Sequence, residues 1–223
     1  IPLIEIVTEP DIRSSSEAET FLSNLKHILE YLEVSDCNME EGSLRCDANI
    51  SVMRKGDTSY GVKTEIKNLN SFKAVRKALD YEALRHISIL ENNEKVVQET
   101  RLWNETLEIT EGMRNKEKAD DYRYFPDPDL TPIYLDKEIL KETFSQGIEL
   151  PLRRKERLIK EYNLSEYDAT TLTAKKEVVD YFEETVIKIK NPKIAANWIM
   201  GDLMALLKDN KVKIYDSPIT TDY

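Results

Sequence analysis

Glycine is scarce in this 223-residue chain, which holds six, and neither Gly-x-x-x-x-Gly-Lys-Ser/Thr nor Gly-x-Gly-x-x-Gly occurs. A P-loop and a dinucleotide-binding turn are thereby excluded, because both cradle phosphate on backbone amides in glycine-rich turns. Cysteine is as sparse, at two residues, too few for a disulfide framework. Cys46 falls on the apolar side of a strand pattern and Cys37 in a polar loop, so both are expected to be reduced. Histidine is limited to His27 and His86, each within a helical pattern and without a Cys, His or Asp partner at ligand spacing. A zinc site is therefore not expected, and a helix-surface or half-buried place is expected for both. No stretch reaches the roughly 18 apolar residues of a membrane span. The first residues lack the basic-then-apolar layout of a secretory signal, so a cytoplasmic or organelle-matrix setting is expected. Positive charge is not in excess: the formal net charge is -10. That argues against a broad nucleic-acid surface and leaves DNA and membranes out of the expected partners. No Ser or Cys nucleophile setting is recognisable either, so ammonia consumed by any reaction here is not released from glutamine by this chain.

What is present is a globular composition, 40% hydrophobic and 33% charged, enough for one large domain or two modest ones. Residue 1 is Ile and the chain opens on a strand pattern, Pro2–Val7, which reads as a cut from a longer chain. Ser16 and Glu19 are spaced as a capping box for a helix whose stripe is Phe21, Leu22, Leu25, Ile28, Leu29 and Leu32. A strand over 44–53 follows, turning at Lys55-Gly56-Asp57 into a second over 60–67, an antiparallel hairpin. Asn68–Ser71 starts a helix running to about Glu91, with Phe72, Val75, Leu79, Ile87 and Leu90 inward, and a strand over 95–103 comes next. Residues 104–132 read as irregular, ending in a proline-stiffened loop at Tyr122–Asp129. Beyond Leu150-Pro151 the signals are helical: Ser165–Asp168 opens one helix, and Asn191-Pro192 opens another with Ala195, Trp198, Ile199 and Leu206 inward. The basic run at 153–157 reads as a solvated helix face. The expected class is α+β, an antiparallel sheet with packed helices over 1–147 followed by an all-α helical domain over 148–223.

The chemistry lies in the first half. Leu44, Cys46, Ala48, Ile50 and Val52 take one face of their strand, and Arg45, Asp47, Asn49 and Ser51 the other. Asp and Asn are poor strand formers, and such breaks of local rule gather at functional sites. If the first strand joins the hairpin in one sheet, Glu5, Arg45, Asp47, Asn49, Lys63, Glu65 and Lys67 converge on one open surface. Carboxylates suit Mg²⁺, and cations beside them suit a transferring phosphoryl group, a combination that fits ATP chemistry on a carboxylate. Taken strand by strand, a wet sheet face is the plainer reading, with Asp47 in a cross-strand salt bridge to Lys63 or Lys67.

Five stretches, Pro2–Asp11, Met39–Asn49, Glu65–Phe72, Gln98–Trp103 and Tyr122–Leu130, resemble in order the B subunits of the aspartyl/glutamyl-tRNA amidotransferases. Tyr162–Leu164 and Ala195–Trp198 resemble the helical linker of the same family. The resemblance implies a glutamine-synthetase-like catalytic domain, present here without its N-terminal part, and absence of the C-terminal tail. It implies use of ATP and Mg²⁺ to phosphorylate the side-chain carboxylate of Glu-tRNA(Gln) or Asp-tRNA(Asn). Ammonia arriving from an amidase-fold A subunit, braced by a small C subunit, then displaces phosphate. By place in these motifs it implies Glu5, Asp47 and Glu41 as acidic metal ligands and Arg45 and Glu65 as catalytic residues, to which the open face adds Lys67, with the fragment alone inactive. Another ATP-dependent carboxylate-amine ligase and a non-catalytic scaffold protein of the same assembly are the alternatives.

Overall fold

The computed structural model describes residues 3–113, 129, 131–132, 134–145 and 147–221. They fall into two compact units, one of residues 1–25 and 37–133 and one of residues 26–36 and 134–223. The Tyr122–Asp129 loop named above lies, but for Asp129, outside the described residues.

The first unit is built on four strands, β1 (Cys46–Ile50), β2 (Thr64–Leu69), β3 (Glu99–Asn104) and β4 (Ile109–Gly112), in spatial order β1-β2-β3-β4. Along β1 the alternation holds: Cys46, Ala48 and Ile50 are half-buried, Asp47 and Asn49 exposed. β1 and β2 pair antiparallel as expected, Ile50 opposite Thr64 and Ala48 opposite Ile66. The chains stay close beyond the ladder, and a Cβ on Gly61 would sit 2.1 Å from the Val52 carbonyl oxygen. Backbone cannot yield as a side-chain tip can. Gly61→Ala is therefore expected to destabilise the unit by about 1–3 kcal/mol, read as a lower urea midpoint with an unchanged slope.

Pairing slips between Cys46 and Ala48, so that Asp47 is opposed by both Lys67 and Asn68. Asn68 is the bulged residue, with φ at 64°, a left-handed conformation that Asn tolerates. Its amide donates to the Trp103 carbonyl at 2.9 Å. The extra residue resets the pleat, and Leu69, which strict alternation from Ile66 would turn outward, returns to the core.

The sheet is mixed, which corrects the expected antiparallel one. β2 and β3 run parallel, Thr64 beside Glu99 and Ile66 beside Arg101. The reason is the connection: α2 (Phe72–Glu91) returns the chain to the end where β2 began, and such a crossover makes the next strand parallel. β4, which lies in the stretch read as irregular, pairs antiparallel with β3 through a tight turn. Asn104 Oδ1 accepts from Leu107 N at 3.1 Å there, and Glu108 takes φ 53°. A four-residue strand is too short to show a period, though the Asn-led turn is a usable signal.

Residues 3–9 form no strand, a second correction: Leu3 is 91% and Val7 80% exposed. A strand exists only through its neighbour, and no strand pairs with this segment among the described residues. The helix α1 (Ser15–Tyr31) is capped by Ser14, two residues before the Ser16 expected. Ser14 Oγ accepts from Glu17 N at 3.1 Å and Glu17 accepts from Arg13 N at 2.7 Å. Glu19 is thus free to receive Arg76 of α2 at 3.1 Å. α2 is capped by Ser71, whose hydroxyl accepts from Ala74 N at 3.0 Å. Its inner face is Ala74, Val75 and Ala78, packed with Leu22, Ile66, Leu69 and Trp103. Ile87 and Leu90, expected inward, are exposed, and the buried face continues instead through Glu82 and His86.

The second unit holds α3 (Lys137–Ser145), α4 (Pro151–Tyr162), α5 (Glu166–Thr173), α6 (Lys176–Ile189), α7 (Pro192–Trp198) and α8 (Met204–Asp209). Its core includes Leu158, Leu172, Val179, Phe182, Ala196 and Ile199. Tyr31 joins it and donates to the Thr173 carbonyl at 2.6 Å. Burial pushes that phenol up to about 12. Ser165 caps α5 and Asn191 caps α7, as expected. Between α7 and α8 a π-helical turn, Ile199–Leu203, resets the helix phase, so Leu203 and Leu207 are buried. Leu206 turns outward, and Trp198, also expected inward, is 63% exposed. The basic run on α4 is more than a wet face: Arg154 pairs with Asp180 at 2.6 Å and with Glu183, and Arg157 with Glu149 and Glu183 at 2.6 Å each.

Candidate functional site

The two faces of the sheet have different chemistry. On the side away from α2, the register sets Asn49, Glu65 and Thr100 in one row across β1, β2 and β3. Lys67 lies two residues along β2 from Glu65, and the bulge brings Asp47 against it. Lys67 Nζ reaches Asp47 Oδ2 at 2.7 Å and Glu65 Oε1 at 3.2 Å. Thr100 donates its hydroxyl proton to Glu65 Oε2 at 2.8 Å. The hydrogen bond to Asp47 raises the Lys67 pKa, desolvation opposes it, and the lesser hydrogen bond to Glu65 adds to the rise, so this amine is a cation at neutral pH. Three predicted residues, Asp47, Glu65 and Lys67, are thus joined in one cluster, and the cross-strand pair is Asp47 with Lys67 rather than Lys63.

The others stand apart. Glu5 lies in the exposed segment before α1, Glu41 in a turn, and Arg45, also exposed, just before β1. Among the described residues no hydrogen bond or ion pair ties these three to the cluster, and no group of three or more His, Cys, Asp or Glu is arranged to hold a metal ion. The donor chemistry present on the open face fits Mg²⁺ nonetheless. Asp47 offers hard carboxylate oxygens and Asn49 an amide oxygen, and Mg²⁺ needs only one or two protein carboxylates beside water and phosphate. Thr100 is the member that sequence reasoning passed over; it stands inside the Gln98–Trp103 motif, where only a tertiary neighbour reveals its use. A depression of about 710 Å³ lies elsewhere, lined by Thr8, Glu9, Asp11, Ser16, Glu17 and Phe21 among others. No basic side chain lines it, and Glu9, Asp11 and Glu17 give it negative charge, so it brings no cation to a phosphate.

Under the sheet, toward α2, a polar network continues the apolar core along the helix. Glu82 and His86 of α2 are fully buried, with Thr64 of β2 and Thr110 of β4. This overturns the surface or half-buried place expected of His86. Glu82 accepts from Thr110 at 2.7 Å and from Arg85 at 2.8 Å, while Arg101 donates to Thr110 at 2.8 Å and pairs with Glu99 at 2.8 Å. His86 Nε2 lies 2.9 Å from Thr64 Oγ1 and 3.3 Å from Glu82 Oε1. Burial pushes the Glu82 carboxyl up, but the hydrogen bonds from His86, Arg85 and Thr110 outweigh it and hold the group at about 2. Cys46, packed on the same side of β1, is pushed up to about 11 by burial and then by Asp47, which leaves an inert thiol.

Comparison with known proteins bears on this arrangement. The GatB/GatE catalytic domain model matches residues 1–141, which include the whole sheet, and the GatB domain model matches residues 180–223. The B subunit of the aspartyl/glutamyl-tRNA(Asn/Gln) amidotransferase of Carboxydothermus hydrogenoformans is 52% identical over 219 residues, 98% of this chain and 46% of that protein. The protein of the same name from Caldanaerobacter subterraneus subsp. tengcongensis is 53% identical over 222 residues, 100% of this chain and 47% of its own length. That from Chlorobium phaeobacteroides is 52% identical over 214 residues, 96% and 45% respectively. The chain spans about half the length of the curated relatives it matches. With the first model covering more than half of its residues, this chain belongs to the GatB/GatE catalytic-domain family.

Proposed function

We propose that this chain carries a large part of the phosphorylation and amidation site of the B subunit in a tRNA-dependent amidotransferase. The names of its relatives support the reading, and the observation that carries it is the Asp47–Lys67–Glu65 cluster lying within the matched catalytic-domain residues. In this reading residues 1–147 are the C-terminal portion of a glutamine-synthetase-like catalytic domain and 148–223 a helical linker. The partners are an amidase-fold A subunit, a small C subunit and mischarged Glu-tRNA(Gln) or Asp-tRNA(Asn), in a cytoplasmic setting. No helix among the described residues is long and apolar enough to cross a membrane.

The chemistry follows from charge. The side-chain carboxylate of the aminoacyl-tRNA attacks the γ-phosphorus of ATP, forming an acyl phosphate and releasing ADP; ammonia then attacks the acyl carbon and phosphate leaves. Lys67 brings a fixed cation to the transferring phosphoryl oxygens, with Arg45 from the segment before β1 as the second. Asp47, with Glu5 and Glu41, supplies acidic ligands for Mg²⁺, and Glu65 holds Lys67 in place. Held there by Asp47, Mg²⁺ would supply positive charge to offset the negative charge that develops on the nucleotide phosphates. The test is ATP-dependent conversion of Glu-tRNA(Gln) to Gln-tRNA(Gln) by the full-length protein in its assembly, with free glutamate in parallel. Product and ADP from the aminoacyl-tRNA alone support the reading. Turnover of free glutamate points to another carboxylate-amine ligase, and an absence of ATP turnover in a correctly assembled complex points to a scaffold.

A further inference from the structure

The open face contains a contact that strand chemistry does not require. Thr is a good strand former on its own, and a cross-strand polar pair contributes only about 0.2–1 kcal/mol. Yet the Thr100 hydroxyl is spent on one atom, Glu65 Oε2 at 2.8 Å, while Glu65 Oε1 faces Lys67 at 3.2 Å. The two carboxylate oxygens are thus assigned to different donors, and the plane of the group is set by strands β2 and β3 together, in direct register. Lys67 in turn is shared, 2.7 Å from Asp47 on β1. Remove the hydroxyl and Glu65 is free to rotate about its terminal bond and offer both oxygens to Lys67, drawing the ammonium off the position it holds between the two carboxylates.

We infer that Thr100 is a positioning residue: through its hydrogen bond to Glu65 it fixes the Lys67 ammonium where the phosphoryl group is transferred. The inference rests on the function proposed above. Positions must be held within a fraction of an ångström for such a group to count in the transition state, and a loss confined to that state lowers kcat without raising KM.

Thr100→Val keeps the shape and the strand preference and deletes the hydroxyl; Thr100→Ser keeps the hydroxyl. In the full-length assembled enzyme, with ammonia supplied, Thr100→Val is expected to lower kcat about tenfold. KM for ATP and for aminoacyl-tRNA stays within about twofold, the thermal midpoint moves by no more than a few degrees, and Thr100→Ser returns kcat to within about threefold of the unsubstituted enzyme. In a Glu65→Gln background, Thr100→Val is expected to add less than about twofold. Thr100→Ala, compared with Thr100→Ser, decides the matter if the valine chain melts early. A kcat unchanged by Thr100→Val, or a serine variant as slow as the valine one, overturns the inference. If Glu65→Gln itself retains full activity, the proposed function has failed at this cluster; if Glu65→Gln is inactive while Thr100→Val is not, only the positioning role has failed.

Discussion

Lys67→Met is expected to lower ATP-dependent amidation about a hundredfold or more while leaving the fold intact. The two effects separate because of where Lys67 sits. Its side chain is 40% exposed and its partners Asp47 and Glu65 are 50% and 33% exposed, so the ion pairs contribute at most about 1 kcal/mol to folding. Methionine keeps the length and the packing of the stem. On the function proposed above, what is lost is a cation beside the transferring phosphoryl group, where a fixed charge is worth several kcal/mol because it needs no reorganisation. Asp47→Asn is the companion: it keeps the shape on β1 and removes one carboxylate charge. ADP release and Gln-tRNA(Gln) formation, measured on the full-length assembly with free ammonia, read both. Activity within a few-fold of the unsubstituted enzyme would make the cluster an ordinary surface salt bridge. If Asp47→Asn and Glu5→Gln instead weaken assembly and spare turnover, the polar face is a docking surface for a partner protein.

The largest expected effect on stability comes from the other side of the sheet. Glu82→Leu leaves the Thr110 hydroxyl without its acceptor and His86 Nε2 with Thr64, and among the described residues Glu99 becomes the carboxylate shared by Arg85 and Arg101, at 3.3 and 2.8 Å. Breaking a buried charged network by removing one member costs about 3–5 kcal/mol. The pH dependence gives an independent reading. The carboxyl is lowered from 4.5 to about 2 in the folded chain, so the folded state holds this proton less tightly than the unfolded one. Its contribution is complete above pH 4.5 and is lost as pH falls toward 2, and its size is on the order of 3 kcal/mol. Urea midpoints of the unsubstituted protein are expected to fall across that interval, and those of Glu82→Gln to fall less. Equal pH slopes for the two proteins would mean that other carboxylates carry the acid sensitivity.

Much of this is legible in sequence. The alternation through Cys46–Ile50 predicts which side chains face out, and Asp47 and Asn49 are there. Ser71 and Ser165 read as caps and are caps, since a cap involves only a few neighbouring residues. Two kinds of failure show what the sequence leaves out. The strand expected at Pro2–Val7 has suitable residues, but a strand needs a partner, which no property of the segment supplies. In α2 and beyond the π turn, the stripes containing Leu90 and Leu206 assume that buried means apolar and that the helical period is unbroken. Glu82 and His86 break the first assumption and Ile199–Leu203 the second.

The sequence by itself determined the local elements, the sidedness of β1 and β2, and, through its ordered motifs, the family to which the chain belongs. Tertiary structure alone decided that β3 lies parallel beside β2, that Asn68 bulges and brings Asp47 to Lys67, and that Thr100 reaches Glu65. Periodicity and caps are written in residues a few positions apart. The neighbours of Glu65 and Glu82 lie on other elements, and pairing across a 20-residue crossover depends on what the whole unit can bury and hydrogen-bond at once.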